Sequence, residues 1–536
     1  GTSISSTPGP TSTGTGGNLT VTADSIELRG TPAGAVVPGG LFTTTLGAGK
    51  AGDLTVTTTG PLVVADGAQI STSTSGAGAG GELTVTADSI ELNDKSADGR
   101  FLGGLLASTS LLTVPGQQGE APAGNLTVTT RQLRVLNGAQ ISAATGGKGT
   151  AGTLSINASE SIEVSGMATG VDPIVETVSF GPIDGIIPSA IETNTRGAAN
   201  AGRLTIQTGQ LTVRNGAEVG VRSTSSGAAG NLDVTADSVL LENQGTISAV
   251  TFSGQGGNIE LNVRALQLNN GTVNASVLGS SNTVDKVGNI TIHADSILLD
   301  PGSITATSSL GQGGDINLDV GNELVLRDRS ELSTRAGTED TGGGDGGNIS
   351  IHAGVLAVLE NSTINANAFQ GSGGNVRITT RGVFAPENAI TASSTLGVNG
   401  IVEINQLDID PSKGLVQLPE NFTDPSDRIV TGCAADRGNQ FVVTGRGGLP
   451  ENPTQPLRGQ TIWRDLRMVR GITGETRTAN SRSLMLMPTS SPPMVEATGW
   501  VMNAKEQVEL VANLPPATSQ SPWSRPPDCQ QLNSQR

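Results

Sequence analysis

The sequence predicts an all-β protein built as a right-handed parallel β-helix, a solenoid of about 13 coils with three short strands in each, followed by an irregular β cap region. Three observations predict it. One short phrase returns along most of the chain, apolar and polar residues alternate within each copy, and aromatic residues are nearly missing.

The phrase is "GGNLTVTADSIEL" at 16–28, written again as "GGELTVTADSIEL" at 80–92. Aligned on the glycine before the first strand, the copies fall at Gly17, Gly52, Gly81, Gly124, Gly152, Gly202, Gly230, Gly257, Gly288, Gly314, Gly347, Gly374 and Gly400. The shortest spacings are 26 to 29 residues. A period of this length marks stacked supersecondary units, each too thin to bury its own apolar face.

Within a copy the pattern has period two, the mark of strands. After Gly230, Leu232 and Val234 alternate with polar residues, then Val239 and Leu241, then Ile247. Ala-Asp-Ser separates the first two strands, and Asn-Gly type pairs precede the third. Such pairs commonly close hairpins, which is the competing reading. Against it, the apolar register returns every third strand and not every second. Three strands per coil, each stacked on its equivalent one coil later, make a parallel β-helix.

Composition agrees. There are 75 glycines, no tyrosine and 2% aromatics, whereas 35% of residues are hydrophobic and mostly aliphatic. Globular cores of this size lean on aromatic side chains. A slender interior of Leu, Ile and Val layers, stacked about 4.8 Å apart over a rod of roughly 60 Å, leaves them little room. Thr and Ser suit the outward strand positions. The residue after the aligned glycine is Asn at 18, 125, 231, 258, 289, 348 and 375, with Asp53 and Asp315 substituting. Stacked amides are expected to bond along the axis, and the glycines to supply corner conformations closed to other residues. Collagen is excluded because glycine keeps no three-residue period, and disorder because the apolar alternation is clean.

The net charge is −17, and residues 405–536 carry 13 Lys/Arg against 13 Asp/Glu, so the deficit lies wholly in 1–404. An acidic, aromatic-poor face neither neutralises phosphates nor stacks bases, so nucleic acid is not an expected partner. It also repels anionic lipid, and no apolar run reaches the length of a membrane span. The chain opens on Gly1 in a Ser/Thr/Gly/Pro segment without a signal peptide. We expect the carboxy-terminal part of a longer precursor, which leaves secretion open.

The repeat ends at "VEINQLDIDP", 402–411, giving a β-helix over 1–404 and a capping tail over 405–536. Solenoid ends need covering, and "GWVMNAKEQVEL" reads as a hairpin that could close the last rung. Arg464, Arg467 and Arg470 read as solvated charge. Insertions at 29–40, 93–104 and 166–187 all fall between second and third strands, on the first, third and fifth coils. They carry Leu102, Leu105, Phe180, Ile183 and Ile187, and should emerge from one corner as a ridge for a partner. The alternative is that they fold onto the side of the rod.

For catalysis, β-helical enzymes acting on polysaccharides need carboxylates at a defined separation. Asp24, Asp88, Asp237 and Asp295 are available, but all occupy the same Ala-Asp-Ser turn, where Asp bonds its own backbone. Trp463, Trp500 and Trp523 lie in the tail, away from the rod. His293, Asp319 and His352 share an outward position on successive coils, a line that could recruit a divalent metal. The set is sparse and exposed, and no cofactor or metal site is predicted. "GGGDGGN" at 342–348 is a single loop and not a calcium repeat.

The repeat "GGNLTVTADSIEL…NGAQISA" resembles that of cyanobacterial filamentous-haemagglutinin-like exoproteins, the secreted partners of two-partner secretion. So does the tail, with "GLVQLPENF", "GCAADRGNQFVVTGRGGLPENP", "VEATGWVMNAKEQVEL" and a near-terminal Cys. The resemblance spans nearly the whole chain and is most specific in the tail. The family's amino-terminal secretion domain has no counterpart here. The resemblance implies export through an outer-membrane two-partner-secretion transporter. It also implies residence at, or release from, the cell surface, and adhesion-like contact with surface glycans or proteins. In that setting Cys433 and Cys529 are expected to form a disulfide, closing a loop of about 96 residues and contributing on the order of 4 kcal/mol. Two free thiols are the alternative. The expected function is a secreted or cell-surface exoprotein for adhesion or surface interaction, without catalysis. The alternative is a polysaccharide-active lyase or hydrolase.

Overall fold

The computed structural model describes residues 3–6, 12–74, 76–109, 121–171, 185–278 and 287–406, and the short strands 499–502 and 508–511. Every regular element in them is a strand. A sheet of 13 short strands runs from Ser3–Ser5 to Ile390–Thr391, and a sheet of 16 faces it, following a path from Leu19–Ala23 to Val402–Gln406. Pairing along both is parallel, each strand lying on its equivalent in the next coil. One core column reads Leu204, Leu232, Ile259, Ile290 and Ile316 in direct register. The parallel β-helix is therefore present, as about 12 complete turns. Each strand expected after an aligned glycine begins two residues beyond it, from Leu19 to Val402.

Three local expectations are corrected. Ala-Asp-Ser is not a turn that separates two strands throughout. The strands break at Ala23-Asp24-Ser25 in the first coil and Ala87-Asp88-Ser89 in the third, but from Leu126–Leu136 onward one strand runs through the equivalent position, as in Leu232–Glu242. Ala236 and Ser238 keep their ladder partners Val263 and Ala265, so the backbone bends without giving up its hydrogen bonds. Elsewhere the bend is absorbed by register shifts, as between Ala158 and Ser161, the geometry of a bulge.

The aligned glycines also serve a different purpose from the one expected, since none of them has a left-handed φ. A Cβ on Gly230 would lie 1.8 Å from the carbonyl oxygen of Gly202, and one on Gly257 would lie 1.9 Å from that of Gly230. Glycine is required because successive coils bring backbone against backbone. The left-handed corner is the other one: Asn215 and Gly216 have φ of 56° and 77°, and link second to third strand across the two sheets.

The Asn ladder, thirdly, is not made of amide–amide bonds. Each side-chain Oδ1 accepts the backbone N–H of the equivalent residue one coil on: Asn289 N–H to Asn258 at 2.8 Å, Asp315 N–H to Asn289 at 3.0 Å, Asn348 N–H to Asp315 at 2.8 Å. Only an acceptor is needed, which explains why Asp substitutes freely.

The interior is aliphatic, with Leu54, Val56, Leu62 and Val64 wholly buried. One of its polar columns is made of threonines. Thr45 Oγ1 donates to Thr74 at 3.0 Å, Thr109 and Thr145 share a bond of 2.8 Å, and Thr43 and Thr193 each donate to a glycine carbonyl at 2.7 Å. Buried hydroxyls so paired avoid most of their desolvation cost.

The chain divides into two units, Gly1–Lys413 and Gly414–Arg536. In the second, Gly499–Met502 pairs antiparallel with Val508–Val511, the hairpin read from the sequence. Cys433, Cys529 and the three tail arginines lie outside the described residues.

Candidate interaction surface

The first and third insertions leave the same corner and bind one another. In the first, Gly34 N–H donates to Asp98 of the third at 2.7 Å, and Arg100 Nη1 donates to the Ala35 carbonyl at 3.0 Å. The Gly34 N–H, with Ser96, holds the Asp98 carboxyl below its ordinary range. The third insertion folds back on itself through Ser96 N–H to Phe101 O at 2.8 Å, and Gln69 Nε2 of the rod donates to Leu102 O at 2.8 Å.

The fifth joins by apolar packing. Met167–Thr169 pairs antiparallel with Ile186–Pro188, and Ala168, Val171 and Ile187 bury themselves with Leu102 in a core separate from that of the rod. The insertions are thus neither independent loops nor a simple lining of the shaft. They form one lateral platform with its own small core. Val36, at its rim, is 88% exposed, Val37 is exposed next to it, and Met167 is exposed on the fifth insertion. Leu105, expected here, belongs to the main core of the rod. Phe180 and Ile183 lie outside the described residues.

Along the rod, carboxylates and arginines alternate from coil to coil. Asp88 takes two bonds from Arg131 at 3.0 and 3.1 Å, and Arg131 reaches Glu160 at 2.8 Å. Arg131 holds both carboxyls below their usual range. A second ladder runs Glu91, Arg134, Glu163, Arg214 and Glu242. Of the aspartates weighed for catalysis, Asp88 and Asp237 are thus ion-paired, the latter to Arg264 at 2.8 Å. The Asp24 carbonyl accepts Gly60 N–H.

His293, Asp319 and His352 do stand in register on successive coils. His293 Nδ1 lies 3.5 Å from Asp319 Oδ2. Among the described residues, no three His, Cys, Asp or Glu side chains gather closely enough to hold a metal ion.

Sequence reasoning missed one cluster entirely. All six residues of Ala190–Thr195 are buried, including the outward Glu192. Burial pushes the Glu192 carboxyl up to about 7, with Asn194 and Arg222 opposing. Opposite it in register is Gly220, whose strand carries Glu218 and Arg222. Arg222 Nη2 donates to both Glu218 oxygens at 2.7 and 2.8 Å, and Ser248 Oγ donates to Glu218 at 2.5 Å. A Cβ on Gly220 would lie 2.6 Å from that Ser248 oxygen, so the glycine leaves room for the bond. An outward strand position gives no sequence sign that something covers it, and so none of burial.

Compared with family models, curated proteins and solved structures, the chain matches none.

Proposed function

We propose that the chain is a structural and interaction protein of the cell exterior, a β-helical shaft whose lateral platform makes the contact. The observation that carries this reading is the convergence of three insertions, distant in sequence, into one body with its own core and an exposed apolar rim. A loop without a role has no need of such organisation, and loops on a rigid scaffold are where proteins commonly place recognition. The exported setting is supported by the repeat and tail motifs that resemble two-partner-secretion exoproteins. The transporter as partner, surface glycans or proteins as targets, and the Cys433–Cys529 disulfide belong to the same proposal.

A second reading, a polysaccharide-active enzyme, draws on Glu192, since a carboxyl protonated near neutral pH suits a general acid. Its burial disfavours that role, because a substrate would first have to uncover it.

The test replaces 30–39 and 94–103 by the short Asp-Gly link of the second coil, with circular dichroism confirming an intact β-helix. Retention on cells and immobilised glycans is expected to fall about tenfold or more, the size of a lost contact centre. Unchanged retention, or release of reducing ends from a polysaccharide panel, would reverse the ranking.

A further inference from the structure

A second feature lies on a different face from the platform. Where the long sheet bends through Ala-Asp-Ser, its outer surface is concave, and over four successive coils it forms a shallow open groove of about 480 Å³. One wall carries Asn262, His293 and Asp319, in register from coil to coil. The other carries Asp237, Arg264 and Asp295, and Ala236, Val263 and Ala294 lie between them. These three are each 8% exposed, whereas the core positions beside them, such as Val234 and Leu261, are fully covered. Ala236, Val263 and Ala294 belong to the core of the rod, so the groove is a narrow, largely covered floor between two polar walls.

We propose that this groove binds a linear neutral polysaccharide segment, extended along the rod axis. Geometry comes first. A polar side chain stands on each wall at successive rungs, about 4.8 Å apart, so the ligand that uses them all is a polymer of repeating units. Extended β-1,4-linked pyranoses meet that condition. Chemistry agrees: carboxylates, an amide and an imidazole offer acceptors and donors for vicinal hydroxyls.

Charge then narrows the class. Arg264 is spent on Asp237 at 2.8 Å, and His293 stands beside Asp319. With Asp295 the groove stays acidic, which disfavours uronic acids and nucleic acids. An added peptide strand has no purchase either, because these coils already bond their neighbours along the axis.

The chain holds two histidines, one in the groove and one outside its lining, so each reports separately. With the full chain labelled at histidine, titration with cellohexaose is expected to shift the His293 imidazole resonances saturably and leave those of His352 in place. An oligogalacturonate of equal length should move neither. Asp295→Ala, at an exposed bend, should weaken the cellohexaose effect about fivefold, within the range for one contact residue. Silence of His293 at millimolar sugar, equal movement of both histidines, preference for the uronate or release of reducing ends would each overturn the proposal. Because the platform is untouched, failure here is distinguishable from failure of the platform reading.

Discussion

The two halves of the rod stack by one geometry and differ in how continuously their corners are tied. In the half that begins at Asn231 the corner ladder is unbroken: each backbone N–H from Asn258 to Ile401 finds the side-chain oxygen of the coil before it, at 2.8 to 3.2 Å. In the amino-terminal half Glu82, Thr153 and Arg203 take the equivalent place and interrupt it. There the outward column of the second strand is mostly charged instead, reading Glu27, Val63, Glu91, Arg134 and Glu163. Farther on, the same column reads Leu240, Gln267, Leu298, Val325, Ala357 and Phe384. The half that carries the insertions is therefore tied by long side chains on its surface. The regular half has surface pairs too, such as Asp300, Arg327 and Glu360, and adds an unbroken ladder of short side chains at its corner. The residue at the corner explains the division, since Glu82, Thr153 and Arg203 lack the short Oδ1 that Asn and Asp offer to the next coil.

What the halves share should dominate stability. Gly152 and Gly257 each face a glycine carbonyl, 1.8 and 1.9 Å from where a Cβ would stand. The obstacle is backbone, which cannot turn aside as a side chain can. Gly152→Ala and Gly257→Ala are each expected to cost about 3 kcal/mol or more, the upper range of overpacking, measured by denaturant unfolding. A large loss in one half and a small loss in the other would break the claim of a common geometry.

Next in size is an effect confined to the insertion-bearing half. Burial raises the Glu192 carboxyl from 4.5 to about 7 in the fold, with Arg222 and Arg196 pulling it down less strongly. The folded state therefore holds a proton that the unfolded chain releases between those values. The stability linked to it is full below about 4.5 and lost as pH rises through about 7. Glu192→Gln mimics the protonated form. It should leave stability unchanged at pH 4 and raise it by about 1–3 kcal/mol at pH 8. Thermal unfolding across that range checks it, and a parallel pH profile for the two proteins would mean that Glu192 is not held protonated.

The rod was legible because its rule is local and repeated. Thirteen aligned glycines fixed where each first strand starts, and the alternation in Leu232, Val234, Val239 and Leu241 fixed which side chains face inward. The reasons assigned to particular residues were less secure. Gly230 reads in sequence as a flexible corner, but its cause is a carbonyl 28 residues away in the preceding coil. The platform was legible in position and not in construction, since Gly34 and Asp98 meet across 64 residues. Likewise Glu192 looks like any outward strand glutamate. Repetition reveals the fold, whereas the candidate surface lies where the repeat is broken.

The smallest effects test the division itself. Asn289→Ala removes an acceptor from the unbroken ladder and leaves the Asp315 N–H without it. It should cost about 1 kcal/mol, while Asn289→Asp, which keeps the acceptor, should cost less. Arg134→Gln breaks two exposed ion pairs, to Glu91 at 3.0 Å and Glu163 at 3.1 Å, and should cost under about 1 kcal/mol. The sharper contrast is in salt. Raising ionic strength screens the Arg134 pairs and should erase most of the difference between wild type and Arg134→Gln. The Asn289→Ala difference is a neutral hydrogen bond and should persist. Equal salt responses would mean that the corner ladder and the surface ladder are not distinct means of joining one coil to the next.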